Sequence, residues 1–419
     1  MQYSKVALRL REQIANFSGD VSAGLGKVAG RFVREMIYGI IASESVLLTE
    51  IGRALEEKIT LKKTEERLSR NLPHPDLEQK VSRNLLSRAE GRIGRDTLLI
   101  LDPSDISKKY ARKMENLATV RDGSEKTFGP GYWTLHIIGT EIGGDEITPL
   151  YQRLYSQKAE DFKSENDELL SAIRLVREYV GDRGLWVMDR GGDRIKLFEP
   201  LLDLKLRFLF RLVGSRHLVY DGAPRLATEL AAGCPRPYAE TVVRLVEGRE
   251  QVFNISFGYR RVKLPGRQEQ LSLLVVNGFG EQPLMLLTTE TLRRSRKVLW
   301  RMVRAYLKRW SIEETIRFIK QSYDLENVRV LNYPGLQNLM PLLSAVIYFT
   351  AVVLNTRQKL KIMSGYVLKA AKRVFGIPDF KYYALADGLQ NIFQRHPGRP
   401  AGRKTVDDGQ LTLLVLADP

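Results

Sequence analysis

The sequence predicts an α/β protein: a mixed sheet with helices packed on it, interrupted by a β-rich insertion and flanked by helical regions at both ends. Three observations carry that expectation. Short aliphatic runs such as TLLIL (97–101) and LWVM (185–188) alternate with longer amphipathic stretches between residues 96 and 214. The helical signal then disappears from 215 to 287, where strand-like runs are separated by Gly and Pro. Residues 1–95, 288–354 and 355–419 are mostly helical in pattern and basic.

Bulk properties narrow the function. The 419 residues suffice for two to four domains with their own cores, and 43% hydrophobic residues make the chain globular. One cysteine, Cys234, excludes an internal disulfide and a cysteine-rich zinc site. With only four histidines, a metal would be held by carboxylate oxygens, which suits magnesium or manganese. Lys and Arg number 66 against 49 Asp and Glu, a net charge of +17, and the usual partner of such a balance is nucleic acid or an anionic membrane. The longest apolar run, Met340 to Leu354, is broken by Pro341, Ser344 and Thr350 and reads as a buried helix, not a membrane span. The first twenty residues are charged throughout, unlike a secretory signal. The expectation is a cytoplasmic protein that binds nucleic acid, with no membrane partner.

Within residues 1–95, ASESVLLTEIGRALEE and LKKTEERLSRNL form two short helices around a break at Lys58–Thr60, and Pro73 and Pro75 end the second. A tight helical pair with a basic second member suits a helix-turn-helix, in which Lys62, Lys63, Arg67 and Arg70 would reach DNA. From 96 to 214, DTLLILDPSD reads as a buried strand ending at Asp102. YWTLHIIGTEI and DEITPLYQRLYS follow as a hairpin, then an amphipathic helix, a strand ending at Asp189, a further helix and RFLFRLVGS as a strand. In the insertion, TVVRLVEG, VFNISFGYRRVKL and LSLLVVNGF are strands, and PLMLLTT leads back. In the tail, HPGRPAGRK reads as a flexible basic segment.

Three carboxylates stand at element ends: Asp102, Asp189 and Glu313. An acid ending a buried strand either caps its own turn or meets other groups at the sheet's edge, because an unpaired buried charge is expensive. Clustered acids need cations between them. Around the third, Tyr306, Arg309, Glu313 and Lys320 would fall within an arc of about 60° on one unbroken helix. The apolar face jumps in phase after Trp310, however. Ser311 with Glu314 reads as a capping box, so two helices breaking at Trp310–Ser311 are expected, with Glu313 beside Arg309 across the break.

LDPSD, MDRGGD and YLKRWSIEETIRFIK together resemble the three motifs of the DDE transposases of bacterial insertion sequences, in the subgroup with the Tyr-Arg-Glu-Lys signature (the insertion sequence four family). The resemblance implies a ribonuclease H-like catalytic domain with Asp102, Asp189 and Glu313 as ligands of two Mg2+ ions, for which Mn2+ substitutes. It implies DNA strand cleavage and strand transfer by a homodimer on terminal inverted repeats and target DNA, in a bacterial cytoplasm and at the nucleoid. Tyr306, Arg309 and Lys320 resemble the residues that hold DNA phosphates. Asp105 and Asp193 are expected as turn acids or partners of the ligands. Some relatives use a tryptophan in the insertion to stabilise a flipped base. This insertion has none; Leu284 or Met285 stands there, and Phe253, Phe257, Tyr259 or Tyr220 would be the stacking alternatives. Two other functions fit the same residues: an inactive relative that only recognises DNA, and a stand-alone nuclease of this fold.

Overall fold

The computed structural model describes residues 3–121, 127–246, 249–356, 358–371 and 381–402. Five helices come first: α1 (Tyr3–Val21), α2 (Lys27–Ser43), α3 (Leu48–Ala54), α4 (Leu61–Asn71) and α5 (Leu77–Ala89). The central region then runs β1 (Leu98–Ser107), β2 (Ala118–Arg121), β3 (Phe128–Thr140), β4 (Ile147–Tyr155), α6 (Glu165–Val180), β5 (Leu185–Met188), α7 (Ile195–Asp203) and β6 (Phe208–Arg211). The segment expected as an insertion holds β7 (His217–Tyr220), β8 (Ala223–Leu226), α8 (Ala227–Ala232), β9 (Tyr238–Val246), β10 (Arg249–Val262), β11 (Leu271–Asn277) and β12 (Leu284–Thr288). After it come α9 (Arg296–Leu307), α10 (Trp310–Ser322) and α11 (Tyr333–Tyr348), which continues through a π turn into α12 (Leu354–Thr356), then α13 (Gln358–Ala370) and α14 (Tyr382–Arg395).

β1 lies antiparallel to β3, which lies antiparallel to β4; on its other side β1 is parallel to β5, and β5 to β6. The order β4-β3-β1-β5-β6 is the ribonuclease H-like sheet. It is built from strands that read as aliphatic runs because helices cover the parallel part. β2 shares the outer edge of β3 with β4: Gly131 pairs Ser107 on one side and Ala118 on the other.

Two expectations change. β1 does not end at Asp102 but continues to Ser107 through Pro103. Beyond Ile100 it is paired on one side only, where proline is tolerated. The β-rich segment continues the central sheet: β12 pairs β6, and β11, β10 and β9 extend it outward, with the β7–β8 hairpin apart. It also contains one short helix, α8, where the sequence shows no helical signal.

The amino-terminal helices pack against the late helices. Phe17 stacks on Tyr348 with ring centres 5.9 Å apart. Asn338 of α11 donates to the carbonyls of Leu72 and His74, both at 2.8 Å, and accepts from Glu78 N at 3.0 Å. Among the described residues one helical stretch, Tyr333–Val353, is long and apolar enough to cross a membrane, and 89% of its most apolar window is buried in the fold. The stretch expected as a flexible basic segment is instead docked from His396 to Arg399. Arg11 bonds the carbonyl of His396, Tyr38 donates to that of Gly398 at 2.7 Å, and Arg399 reaches the carbonyl of Glu56. Backbone carbonyl acceptors matched to Arg and Tyr donors hold it there. Residues 403–419 lie outside the described residues.

Candidate active site

Asp102 stands mid-strand in β1, opposite His136 of β3. Its side chain is 16% exposed. Burial, strengthened by the carboxylates of Asp189 and Glu313 and opposed by Arg309, pushes its carboxyl up to about 7. Asp189 and Glu313 are thus each within electrostatic reach of Asp102, although 211 residues separate Asp102 from Glu313.

Asp189 follows β5 immediately. Its Oδ1 accepts from Gly191 N at 2.7 Å, capping the single 3-10 turn Arg190–Gly192. The turn-capping alternative for this acid is therefore realised, through one of its two oxygens. The glycine pair has a steric reason: a Cβ on Gly191 would stand 2.9 Å from Asp189 Oδ1, and one on Gly192 would stand 2.8 Å from Met188 Cβ.

Glu313 lies in the first turn of α10 with its side chain 47% exposed. The break between α9 and α10 falls at Lys308–Arg309, two residues before the expected place, and Ser311 is inside α10 instead of capping it. Arg309 itself has helical backbone angles, so the chain bends without leaving the helical region and no capping side chain is required. The side chain of Ser311 lies outside the described residues.

Arg309 links the acids. Its Nη2 is 2.5 Å from Glu313 Oε1 and its Nη1 is 3.7 Å from Asp102 Oδ2, with the side chain only 8% exposed. Two carboxylates share one guanidinium, the fork geometry for which arginine is suited. Tyr306 sits behind it, 2% exposed, with its ring 5.9 Å from the Arg309 guanidinium; burial raises its phenol, while Arg309 and Arg211 lower it through their charges and hydrogen bonds. Tyr306, expected at DNA phosphates, is thus buried beneath Arg309, which is itself only 8% exposed. Lys320 is also tied down, 3.6 Å from Asp105 Oδ1 and 3.2 Å from Glu326 Oε1.

The profile of the transposase DDE domain matches residues 94–349, well over half of the chain. The chain belongs to the DDE transposase family. No curated protein matches the sequence. Among solved structures it is similar to a piggyBac transposase synaptic complex with hairpin DNA. That likeness has 10% identity and a TM-score of 0.43 over all of this chain and 84% of the other, too distant to carry any detail of the site across.

DDE transposases generally use divalent metal ions. In this transposase the donor chemistry fits such ions: hard carboxylate oxygens, one of which, on Asp102, burial holds near neutrality even with Arg309 beside it. As the side chains stand, no three Asp, Glu, His or Cys groups among the described residues are close enough to hold one ion. Arg309 draws Glu313 to itself and supplies the positive charge instead.

The two neighbouring acids resolve differently. Asp193, its side chain wholly buried, accepts from Arg216 Nε and Val213 N, both at 2.6 Å, and so braces the turn after Asp189. Asp105, also buried, partners Lys320. Among the reserve stacking aromatics, Phe257 is fully buried with its ring centre 6.0 Å from that of Trp300; Leu284 and Met285 are buried in β12. Tyr220 lies under the Arg260 guanidinium at 4.7 Å, and Phe253 packs on Phe279.

In the amino-terminal pair, Lys62, Lys63 and Arg70 are exposed on α4. Arg67 is not free to reach DNA, because it bridges Glu35 and Glu57; Glu35, 5% exposed, needs that compensation. Two residues escaped sequence reasoning. Arg211 ends β6 beside Tyr306. Arg244 of β9 lies over the Trp310 ring, 3.1 Å from its centre, and is close enough for Glu313 to act on its charge. Neither has a periodic or motif signal, since strand pairing alone brings them in.

Proposed function

We propose that this protein is a cut-and-paste DNA transposase of the Tyr-Arg-Glu-Lys subgroup, encoded by a bacterial insertion sequence. It acts as a homodimer on terminal inverted repeats and target DNA at the nucleoid. The observation that carries this reading is that Asp102 and Glu313, from separate elements, share Arg309, while Asp189, from a third, acts on the charge of Asp102.

Asp102, Asp189 and Glu313 would hold two magnesium ions, or manganese in their place. When bound, the ions supply Lewis acidity at the scissile phosphate and a water of lowered pKa. Arg309 keeps the acids compatible with burial before DNA arrives, and its fork then suits a phosphate oxygen pair. Tyr306, which Arg211 also bonds, supports the guanidinium from behind. Lys320, held by Asp105 and Glu326, would offer a point charge to a phosphate once released from them. Cleavage adds a water oxygen to phosphorus and releases the 3′ oxygen of the transposon end. In joining, that 3′-hydroxyl attacks a target phosphorus and the target's own 3′ oxygen leaves. Lys62, Lys63 and Arg70 are the proposed end-binding contacts of the helical amino-terminal region.

The test is strand cleavage and joining on the element's own flanking end with magnesium. Wild type should cut and join, and Asp102→Asn, Asp189→Asn and Glu313→Gln should bind the end equally and not cut. Specific binding without cleavage by wild type would favour an inactive DNA-binding relative, and cleavage without joining a nuclease.

A further inference from the structure

The segment that leaves β1 forms a groove of about 770 Å³ against residues 326–331. Its two walls are pinned at both ends. Lys108, 9% exposed, donates through Nζ to the carbonyls of Glu326 and Val328 at 2.7 and 2.5 Å. At the other end Glu115 N donates to Leu331 O at 2.9 Å, and Glu115 Oε2 accepts from Tyr333 N at 2.8 Å. The groove is therefore a built feature and not a gap between loops.

Its rim is basic. Lys109, Arg112, Lys113 and Arg329 are exposed along it, and the acid that lines it, Glu326, is shared with Lys320. Tyr110 stands out at 89% exposure amid these cations, which is unusual for a ring of that size. A tyrosine among flexible cations matches the needs of a polyanion that also has stackable faces: phosphates for the charges, a sugar or base for the ring. Lys108 is six residues beyond Asp102, just past the end of β1, about 20 Å away, which is the length of about six base pairs.

We propose that this groove is a second DNA contact, holding the backbone of the duplex about six base pairs from the catalytic acids. Lys109, Arg112, Lys113 and Arg329 meet phosphates and Tyr110 packs on a sugar or base. The proposal rests on the transposase reading and extends it to a surface outside the Asp-Asp-Glu cluster.

The test is the salt dependence of duplex binding, followed by fluorescence anisotropy with the element's end and with an unrelated duplex. Arg112→Gln/Lys113→Gln/Arg329→Gln changes three exposed side chains. It should weaken binding to both duplexes at least about tenfold and lower the slope of log K against log salt by about 2.7, at about 0.9 per phosphate. Tyr110→Ala should weaken binding with the slope unchanged. In wild type, acetylation of Lys113 should slow when DNA is bound, a readout independent of any variant's folding. Unchanged affinity, slope and Lys113 reactivity would overturn the groove as a DNA contact, as would a loss of self-association with DNA binding intact. A wild-type protein that binds neither duplex would instead overturn the transposase reading itself.

Discussion

Arg309 donates to Glu313 Oε1 at 2.5 Å across one helical turn and, through its other terminal nitrogen, lies 3.7 Å from Asp102. An arginine 8% exposed thus acts as counter-ion to the acids it accompanies in the signature. Its charge and a divalent cation compete for the same carboxylates.

That competition makes Arg309→Ala a test of the counter-ion role. Without metal the variant should lose about 1–3 kcal/mol of stability, since it leaves Asp102 mostly buried without a partner. Added magnesium should restore more stability to the variant than to wild type. Urea unfolding with and without the ion measures both effects, and equal gains would refute the competition.

The two acids of DRGGD should separate cleanly. Asp193→Ala removes acceptors from Arg216 and Val213 N at a wholly buried site, and should cost about 3–5 kcal/mol. Asp189→Ala should leave the urea midpoint nearly unchanged and lower end cleavage by about 10²–10⁴-fold. A reversed pattern would exchange their roles.

His136 gives a pH dependence. It is 2% exposed, its Nε2 2.9 Å from Thr134 Oγ1, and burial, aided by the charge of Lys320, pulls its pKa down to about 3. The folded pKa is below the unfolded one, so the neutral ring's stability is full above about pH 6.5 and is lost as pH falls toward 3. Between pH 6.5 and 5 this amounts to about 2 kcal/mol. His136→Gln should unfold with a flatter pH profile over that window; parallel profiles would exclude the histidine as the cause.

In the amino-terminal helices, DNA binding and stability should part company when charge is removed. Lys62→Ala/Lys63→Ala/Arg70→Ala should lower the salt slope of end binding by up to about 2.7 without shifting the unfolding midpoint. Arg67→Ala should shift the midpoint by about 1–3 kcal/mol through the loss of Glu35 and Glu57 as partners. Excising the whole region is a poor substitute, because Asn338 and Tyr348 are bonded into it.

The order of aliphatic runs and amphipathic stretches was enough to read the α/β class, the acids Asp102, Asp189 and Glu313, and the spacing of Tyr306, Arg309 and Lys320. Those are local properties: a period of two or 3.6 residues shows in a short window, and a motif is a spacing along one chain. What each charged side chain faces was decided elsewhere. Arg67 meets Glu35 from 32 positions away, and Lys320 meets Asp105 from 215. Arg309 meets Asp102 from 207, and Arg244 reaches Trp310 only because β9 extends the sheet. A charge carries no periodic signal of its partner, and its burial depends on which surfaces close over it. Tertiary packing alone therefore turned Tyr306 and Arg67 inward, docked His396–Arg399, carried β1 past Pro103 and set one arginine between two acids.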